Sequence, residues 1–127
     1  MKILAAKINI NSEIIGIFVG QNLNVMMNTT IEIKVVENLN DLKMFVQFYY
    51  DLYRDCEQAV PFLFSDEMNT LRKDRNPSFE CCEACYFMAW RNGQIVGRIA
   101  AIINHRANEK WNCKVVRFDW FDFIDDE

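Results

Sequence analysis

Histidine, proline and glycine are scarce in this chain of 127 residues, which contains one, two and four of them, respectively. The low proline and glycine content, together with 51% hydrophobic residues, excludes a disordered chain and indicates one globular domain. No apolar run reaches the roughly 18 residues that a membrane-spanning helix needs. No secretory signal is evident, because Lys7 interrupts the first apolar stretch. We therefore expect a cytoplasmic protein with no membrane partner.

An excess of positive charge is also missing. The chain carries 14 Lys and Arg residues against 18 Asp and Glu residues, for a formal net charge of -4. Proteins that bind nucleic acids usually present a basic surface to the phosphates. The charge balance therefore predicts that nucleic acid is not a partner.

The five cysteines are an odd number in a chain that we expect to stay in a reducing compartment, so no disulfide framework is predicted. Cys82 and Cys85 have the spacing of half a zinc site, which Cys113 or His105 would have to complete. A second C-x-x-C or H-x-x-x-H pair is absent, and Cys85 runs directly into a predicted strand. We expect no metal here, and a zinc module on Cys81, Cys82, Cys85 and Cys113 is a third alternative for the function.

The first 30 residues differ in pattern from the rest of the chain. One interpretation is an extra pair of strands, Ile3 to Ile10 and Ile14 to Val19, that turns at Asn11-Ser12. The other is an N-terminal extension upstream of a start at Met26 or Met27, which is not part of the domain. We favour the extension, and we place the domain at residues 31–127, where regular periodicity begins.

Three elements are predicted at the start of this domain. I-E-I-K-V-V from Ile31 alternates apolar and charged residues, as a half-buried strand does. Asn38 to Asp41 offers N-cap residues for a helix from about Asp41 to Cys56, whose apolar residues recur at three- and four-residue spacing. Ser65-Asp66 is placed to cap a shorter helix that ends near Arg72, before Asn76-Pro77.

A β-hairpin is predicted from Tyr86 to Asn104, because Asn92-Gly93 between two apolar stretches is a strong signal for a two-residue turn. Arg98 is expected to pair across the sheet with Asp119 or Asp122. A third strand follows at Val115 to Ile124. Strict alternation places Val116, Phe118, Trp120 and Ile124 on one of its faces, and Arg117, Asp119, Phe121 and Phe123 on the other.

A strand, two helices and a three-stranded antiparallel meander make an α+β domain. This order, over residues 31 to 124, resembles the front (N-terminal) half of an acetyltransferase of the GNAT superfamily, and so implies a partial GNAT-like fold. Four stretches are similar to a group of long bacterial GNAT-like N-acetyltransferases: P-F-L-F-S-D at 61–66, N-P-S-F at 76–79, G-Q-I-V-G-R-I-A-A-I-I-N at 93–104 and F-D-W-F-D-F-I-D-D at 118–126. Gly97 in the third stretch is expected to let a backbone or ligand approach closely, or to mark a bulge.

The resemblance implies that full-length relatives transfer an acetyl group from acetyl-CoA to an amine. The superfamily holds the CoA pyrophosphate on a Gln/Arg-x-x-Gly-x-Gly/Ala loop after its fourth strand. In this chain Asp125-Asp126-Glu127 occupy that place, and three carboxylates would repel a pyrophosphate. We therefore expect a truncated domain that binds no cofactor and is inactive alone.

The candidate site residues lie on the acceptor side, and no catalytic residue is assigned. Tyr49, Tyr50 and Tyr53 belong to the helix that faces the acceptor in the superfamily. Asp119 and Asp122 form an acidic edge that would receive an amine or serve as a base. The alternatives are core packing for Tyr49 and Tyr53, and a solvated face for the aspartates.

Histidine 105, the only histidine, is expected to be a solvated residue of a polar loop. A second interpretation of the whole chain is a noncatalytic α+β module. Such a module would bind a partner, or form a homodimer through its last strand, at the open edge of the sheet.

Overall fold

The computed structural model describes residues 30–125, which form an α+β domain. Its four strands make one antiparallel sheet in the order β1-β2-β3-β4. The predicted order of strand, two helices and meander is confirmed. The elements are β1 (Glu32–Val35), α1 (Leu39–Leu52), α2 (Phe64–Leu71), a 3-10 helix (Pro77–Glu80), β2 (Cys82–Arg91), β3 (Gln94–Asn104), α3 (His105–Lys110) and β4 (Arg117–Phe123).

Two predictions concern residues outside the described range. The strand pair or extension assigned to the N-terminus falls on residues 1–29, and the acidic end falls partly on residues 126–127. The domain boundary at Ile31 therefore stays a prediction. The helices and strands that follow Ile31 are those given above.

Helix α1 begins at Leu39, two residues before the predicted start near Asp41, and its N-cap is Asn38, one of the predicted candidates. The Asn38 side-chain oxygen accepts hydrogen bonds from the backbone N–H groups of Asn40 and Asp41, at 2.9 and 3.0 Å. These bonds satisfy donors that the first helical turn leaves without partners. The helix ends at Leu52, four residues before the predicted end at Cys56.

The predicted cap of α2 is wrong. The N-cap residue is Leu63, which makes no side-chain capping bond, and Ser65 and Asp66 lie inside the first turn. The polar loop predicted around His105 is also wrong, because these residues form α3. The Asn104 side chain caps that short helix by accepting from the backbone N–H of Ala107 at 2.8 Å.

The hydrophobic core lies between one face of the sheet and the helices α1 and α2. Phe45 and Val46 of α1 and Ala100 of β3 are fully buried, and Leu71 of α2 is 2% exposed. Within this core, the Tyr86 hydroxyl of β2 donates a hydrogen bond to the Leu71 carbonyl of α2 at 2.8 Å. Burial raises the pKa of Tyr86, because the charged phenolate would have to form in an apolar environment.

The predicted faces of β4 are wrong, because the strand contains a bulge. Arg98 pairs with Asp122 and Ala100 pairs with Asp119, so β4 contributes one more residue than β3 between these pairs. Trp120 in the bulge has a φ of 49°, which is rare for a bulky residue. Phe118 pairs with Ala101 on the face away from α1 and α2, whereas Trp120 packs against the core.

The two glycines of the hairpin give a matched pair of tests. Gly93 has a φ of 78°, while a methyl group at Gly97 would lie at ordinary contact distances of 3.4 Å or more from its neighbours. We expect Gly93→Ala to lower the free energy of unfolding by about 1–2 kcal/mol, because left-handed backbone is costly for an L-residue. Gly97→Ala should stay within about 1 kcal/mol of the parent. Urea unfolding measures both.

A greater loss for Gly97→Ala than for Gly93→Ala would contradict this assignment. It would mean that Gly97 is needed for a close approach that the described residues do not make.

Candidate functional site

Three ionisable side chains meet between the sheet and the helices, and we call Glu67, Arg98 and Asp122 the charge cluster. Glu67 is 7% exposed and Arg98 is 3% exposed. Glu67 comes from α2, Arg98 from β3 and Asp122 from β4. Buried ionised groups are costly unless they are paired and hydrogen-bonded, so these contacts specify how the three elements assemble.

Arg98 is the centre of the cluster. Its Nε donates to Asp122 Oδ2 at 2.8 Å, and its Nη1 donates to the carbonyl of Phe45 in α1 at 2.9 Å. Its Nη2 lies 3.7 Å from Glu67 Oε1. The guanidinium also lies over the rings of Phe45 and Tyr49, with centroid distances of 5.1 and 5.3 Å. The predicted pairing of Arg98 with Asp122 is confirmed.

Glu67 is only partly satisfied in this cluster. Its Oε1 accepts a hydrogen bond from the Trp120 indole N–H at 2.8 Å. Its Oε2 is buried and has no hydrogen-bond partner among residues 30–125. Because two carboxylates face one guanidinium, the cluster carries a formal negative charge.

A small pocket lies beside the charge cluster, at the end of α1. Its volume is about 130 Å³, and we call it the tyrosine pocket. This is below the roughly 300–1,000 Å³ of pockets that hold drug-sized ligands, so the pocket fits a small group. Its wall is formed by Tyr49, Tyr50, Tyr53, Arg54, Cys56, Ala59 and Pro61.

Two of the pocket's tyrosines connect it to the surrounding structure. The Tyr53 hydroxyl donates to Asp122 Oδ1 at 3.1 Å, and the Tyr50 hydroxyl donates to the Phe62 carbonyl at 2.6 Å. Burial raises the pKa of Tyr53, and its hydrogen bond to Asp122 raises it further. Burial raises the pKa of Tyr50 as well, and the negative charge of Glu67 adds to that effect. Both phenols therefore stay protonated near neutral pH.

The structure brings four of the five predicted acceptor-side residues together: Tyr49, Tyr50 and Tyr53 line the pocket, and Asp122 lies behind Tyr53. Asp119 is exposed, and its Oδ1 accepts from the backbone N–H of Trp120 instead of facing the pocket. The three tyrosines are half-buried, so core packing describes them only in part.

Sequence reasoning missed Glu67 and the position of Trp120. The signal for Glu67 was its place on α2, four residues before Leu71, which puts a carboxylate on the apolar face of that helix. The signal for Trp120 was absent, because nothing in F-D-W-F-D-F predicts a bulge.

The cysteines do not converge on one point. Cys82 and Cys85 are three positions apart on β2, so they lie on opposite faces of the sheet. Within residues 30–125, no group of three or more His, Cys, Asp or Glu side chains is arranged to hold a metal ion. His105 lies 3.1 Å from Glu83 at the surface. None of the helices in this part of the chain is long and apolar enough to cross a bilayer.

The charge cluster can be tested through stability. We expect Arg98→Met to lower the free energy of unfolding by about 3–5 kcal/mol, because it leaves two carboxylates without their buried partner. Arg54→Met is the matched control, since the Arg54–Asp51 ion pair is exposed and should contribute less than about 1 kcal/mol. Urea unfolding of both variants gives the difference, and equal losses would contradict a structural role for the cluster.

Comparison with known proteins gives one relative. Over 89 residues, which are 70% of this chain, the sequence is 37% identical to Protein YghO of Escherichia coli (strain K12). The matched region covers 23% of the length of that protein, so the chain spans about a quarter of the curated relative that it matches. No family model matches the chain. No solved structure matches it.

Proposed function

We propose that residues 31–125 form the acceptor side of a GNAT-like N-acetyltransferase domain, and that the tyrosine pocket binds the ammonium group of an amine. One observation carries this proposal: the Tyr53 hydroxyl in the pocket wall is hydrogen-bonded to Asp122, one of the charge cluster's two carboxylates. The order of elements supports it, because strand, two helices and meander is the order of the superfamily's front half.

The pocket has the groups that an ammonium ion needs. Tyr50 and Tyr53 donate their hydroxyl protons to the protein, so their oxygen lone pairs remain available as acceptors. Tyrosine ring faces attract cations. Glu67 and Asp122, behind these two tyrosines, outnumber the Arg98 guanidinium of the charge cluster, so the cluster favours a positive ligand at these tyrosines.

Acetyl transfer requires the bound ammonium to lose one proton first, because an ammonium nitrogen has no lone pair with which to attack. The neutral amine then attacks the thioester carbonyl carbon, the C–S bond breaks, and the second nitrogen proton goes to the departing CoA thiolate. In this proposal the Tyr53 oxygen accepts the ammonium proton while the Tyr53 hydroxyl passes its own proton to Asp122. Asp122 is therefore the terminal base, and Tyr53 relays the proton. Arg98 keeps Asp122 in place through its 2.8 Å bond.

Acetyl-CoA itself is not expected to bind to these residues alone. The sequence contains no Gln/Arg-x-x-Gly-x-Gly/Ala pattern, since Gln94-x-x-Gly97 is followed by Arg98-Ile99. The backbone N–H groups that would donate hydrogen bonds to the pyrophosphate are therefore not supplied by this sequence. We propose that the 127 residues contribute the acceptor side and do not catalyse the transfer alone.

Binding experiments with the 127-residue protein test both parts of the proposal. Calorimetry should detect no acetyl-CoA binding tighter than about 1 mM. Butylamine should shift the NMR resonance of the Trp120 indole N–H, which is bonded to Glu67. Glu67→Gln should weaken butylamine binding severalfold, because it removes one negative charge and keeps an acceptor for Trp120.

Glu83→Gln is the matched control, since Glu83 is half exposed and pairs with His105. It should leave butylamine binding unchanged. Micromolar binding of acetyl-CoA would contradict the first part of the proposal, and absence of any butylamine response in the parent protein would contradict the second.

The second candidate function is a noncatalytic module that self-associates through β4. The observation that favours it is that β4 pairs with β3 only, within residues 30–125. It ends at exposed Phe123, and the next residue, Ile124, is exposed as well. An open edge beside apolar side chains is a template for another copy.

Light scattering over a concentration series tests self-association. We expect the mass to rise toward that of a dimer at high micromolar concentration, and Ile124→Lys to suppress the rise by placing a charge beside the edge. A constant monomer mass for the parent protein would remove this alternative.

A further inference from the structure

We infer that the acceptor is an amine that also carries a carboxylate, which is to say an amino acid, and that Arg54 recognises the carboxylate. This inference rests on the proposed function and names the substrate class of the same pocket. It starts from the presence of an arginine among the residues of the pocket wall.

Arg54 has hydrogen-bond donors that no described residue uses. Its only hydrogen bond and ion pair among residues 30–125 run from Nη2 to Oδ1 of Asp51. A guanidinium has five N–H donors in a planar fork that matches a carboxylate. The Nε and Nη1 groups are therefore left for a ligand in the pocket.

Tyr49 supplies a second unused donor. Its hydroxyl makes no hydrogen bond with the described residues, whereas the hydroxyls of Tyr50 and Tyr53 are both committed to the protein. Its ring packs against Tyr53 at a centroid distance of 4.8 Å and against Tyr50 at 5.7 Å. The Tyr49 hydroxyl is thus the pocket tyrosine that can donate to a ligand oxygen.

The pocket therefore has groups of both charges around it. Asp122 is bonded to Tyr53 in the pocket wall, and Glu67 acts on Tyr50, which makes these tyrosines attractive to an ammonium. Arg54 provides the positive charge of the pocket wall, and no Asp or Glu belongs to that wall. A ligand with one charge of each sign can pair with both kinds of group, whereas a simple amine can pair with only one.

This arrangement predicts that a carboxylate on the ligand raises its affinity, although the protein has a net negative charge. The chain has a formal net charge of -4, and the charge cluster is itself negative. Without Arg54, adding a carboxylate to an amine should weaken its binding through repulsion. A gain in affinity on adding the carboxylate is therefore diagnostic of recognition by Arg54.

The experiment compares matched pairs of ligands with the 127-residue protein. The pairs are ethylamine with glycine, butylamine with 4-aminobutanoate, and hexylamine with 6-aminohexanoate, so that each amine has a methyl group in place of the carboxylate. Each ligand is titrated while the Trp120 indole resonance is followed. We expect at least one amino acid to bind at least threefold more tightly than its amine in the parent protein. The spacing that gives the gain reports the distance between the groups that bind the ammonium and Arg54.

Variants decide whether Arg54 is responsible. Arg54→Met should abolish the gain of the amino acid, and it should not weaken binding of the paired amine, because it removes a positive charge from the pocket wall. Arg75→Met is the control, because Arg75 is also exposed and pairs with a neighbouring aspartate, Asp74, but does not line the pocket. Arg75→Met should change the affinity of neither the amine nor the amino acid.

The outcomes separate this inference from the proposed function. If the amines bind and no amino acid binds more tightly than its amine, or if the gain survives in Arg54→Met, the inference is wrong and the amine site stands. If neither amines nor amino acids bind to the parent protein, the proposed function fails and the inference fails with it.

Discussion

The burial of Arg98 is the constraint on which the rest of the structure depends. A guanidinium that is almost fully removed from water must find partners for its donors inside the protein. It finds them on three elements: the Phe45 carbonyl on α1, Glu67 on α2 and Asp122 on β4. A shift of any of these elements by one residue would leave a buried charge without its partner. Arg98 therefore fixes the positions of both helices on the sheet.

The bulge in β4 follows from the same constraint. Asp122 must lie on the face that α1 covers in order to reach Arg98, and Trp120 must reach Glu67 on the same face. These two residues are two positions apart, as residues on one strand face are. Phe118 and Phe123, however, pair with Ala101 and Gly97 on the other face, five positions apart. One extra residue at the bulge reconciles the two sets, and Trp120 takes a positive φ there.

The sequence was sufficient to predict most of the elements, although His105 to Lys110 form α3 and not a loop. Of the contacts between elements, the Arg98–Asp122 pair was predicted, but the bulge and the contacts of Glu67 were not. The hairpin could be predicted because its turn depends on two adjacent residues, Asn92 and Gly93, which both have positive φ. The bulge could not be predicted, because it depends on Arg98 and Glu67, which are 22 and 53 residues away from Trp120 along the chain. Glu67 was missed because local periodicity does not say which apolar-face position meets a buried cation.

The candidate site shows the same division between local and distant causes. Tyr49, Tyr50 and Tyr53 lie together because they occupy the last turn of one helix and its C-cap residue, so sequence alone could group them. Asp122 joins them only because Arg98 draws its carboxylate to the helix-covered face, within 3.1 Å of the Tyr53 hydroxyl. The position of Asp122 behind the pocket is therefore a product of the same interaction that assembles the core. Arg54 needs no such support, since it follows Tyr53 directly, is exposed and pairs with Asp51. The residues around the pocket thus depend partly on distant contacts through the core and partly on local positions along one helix and the residues that follow it.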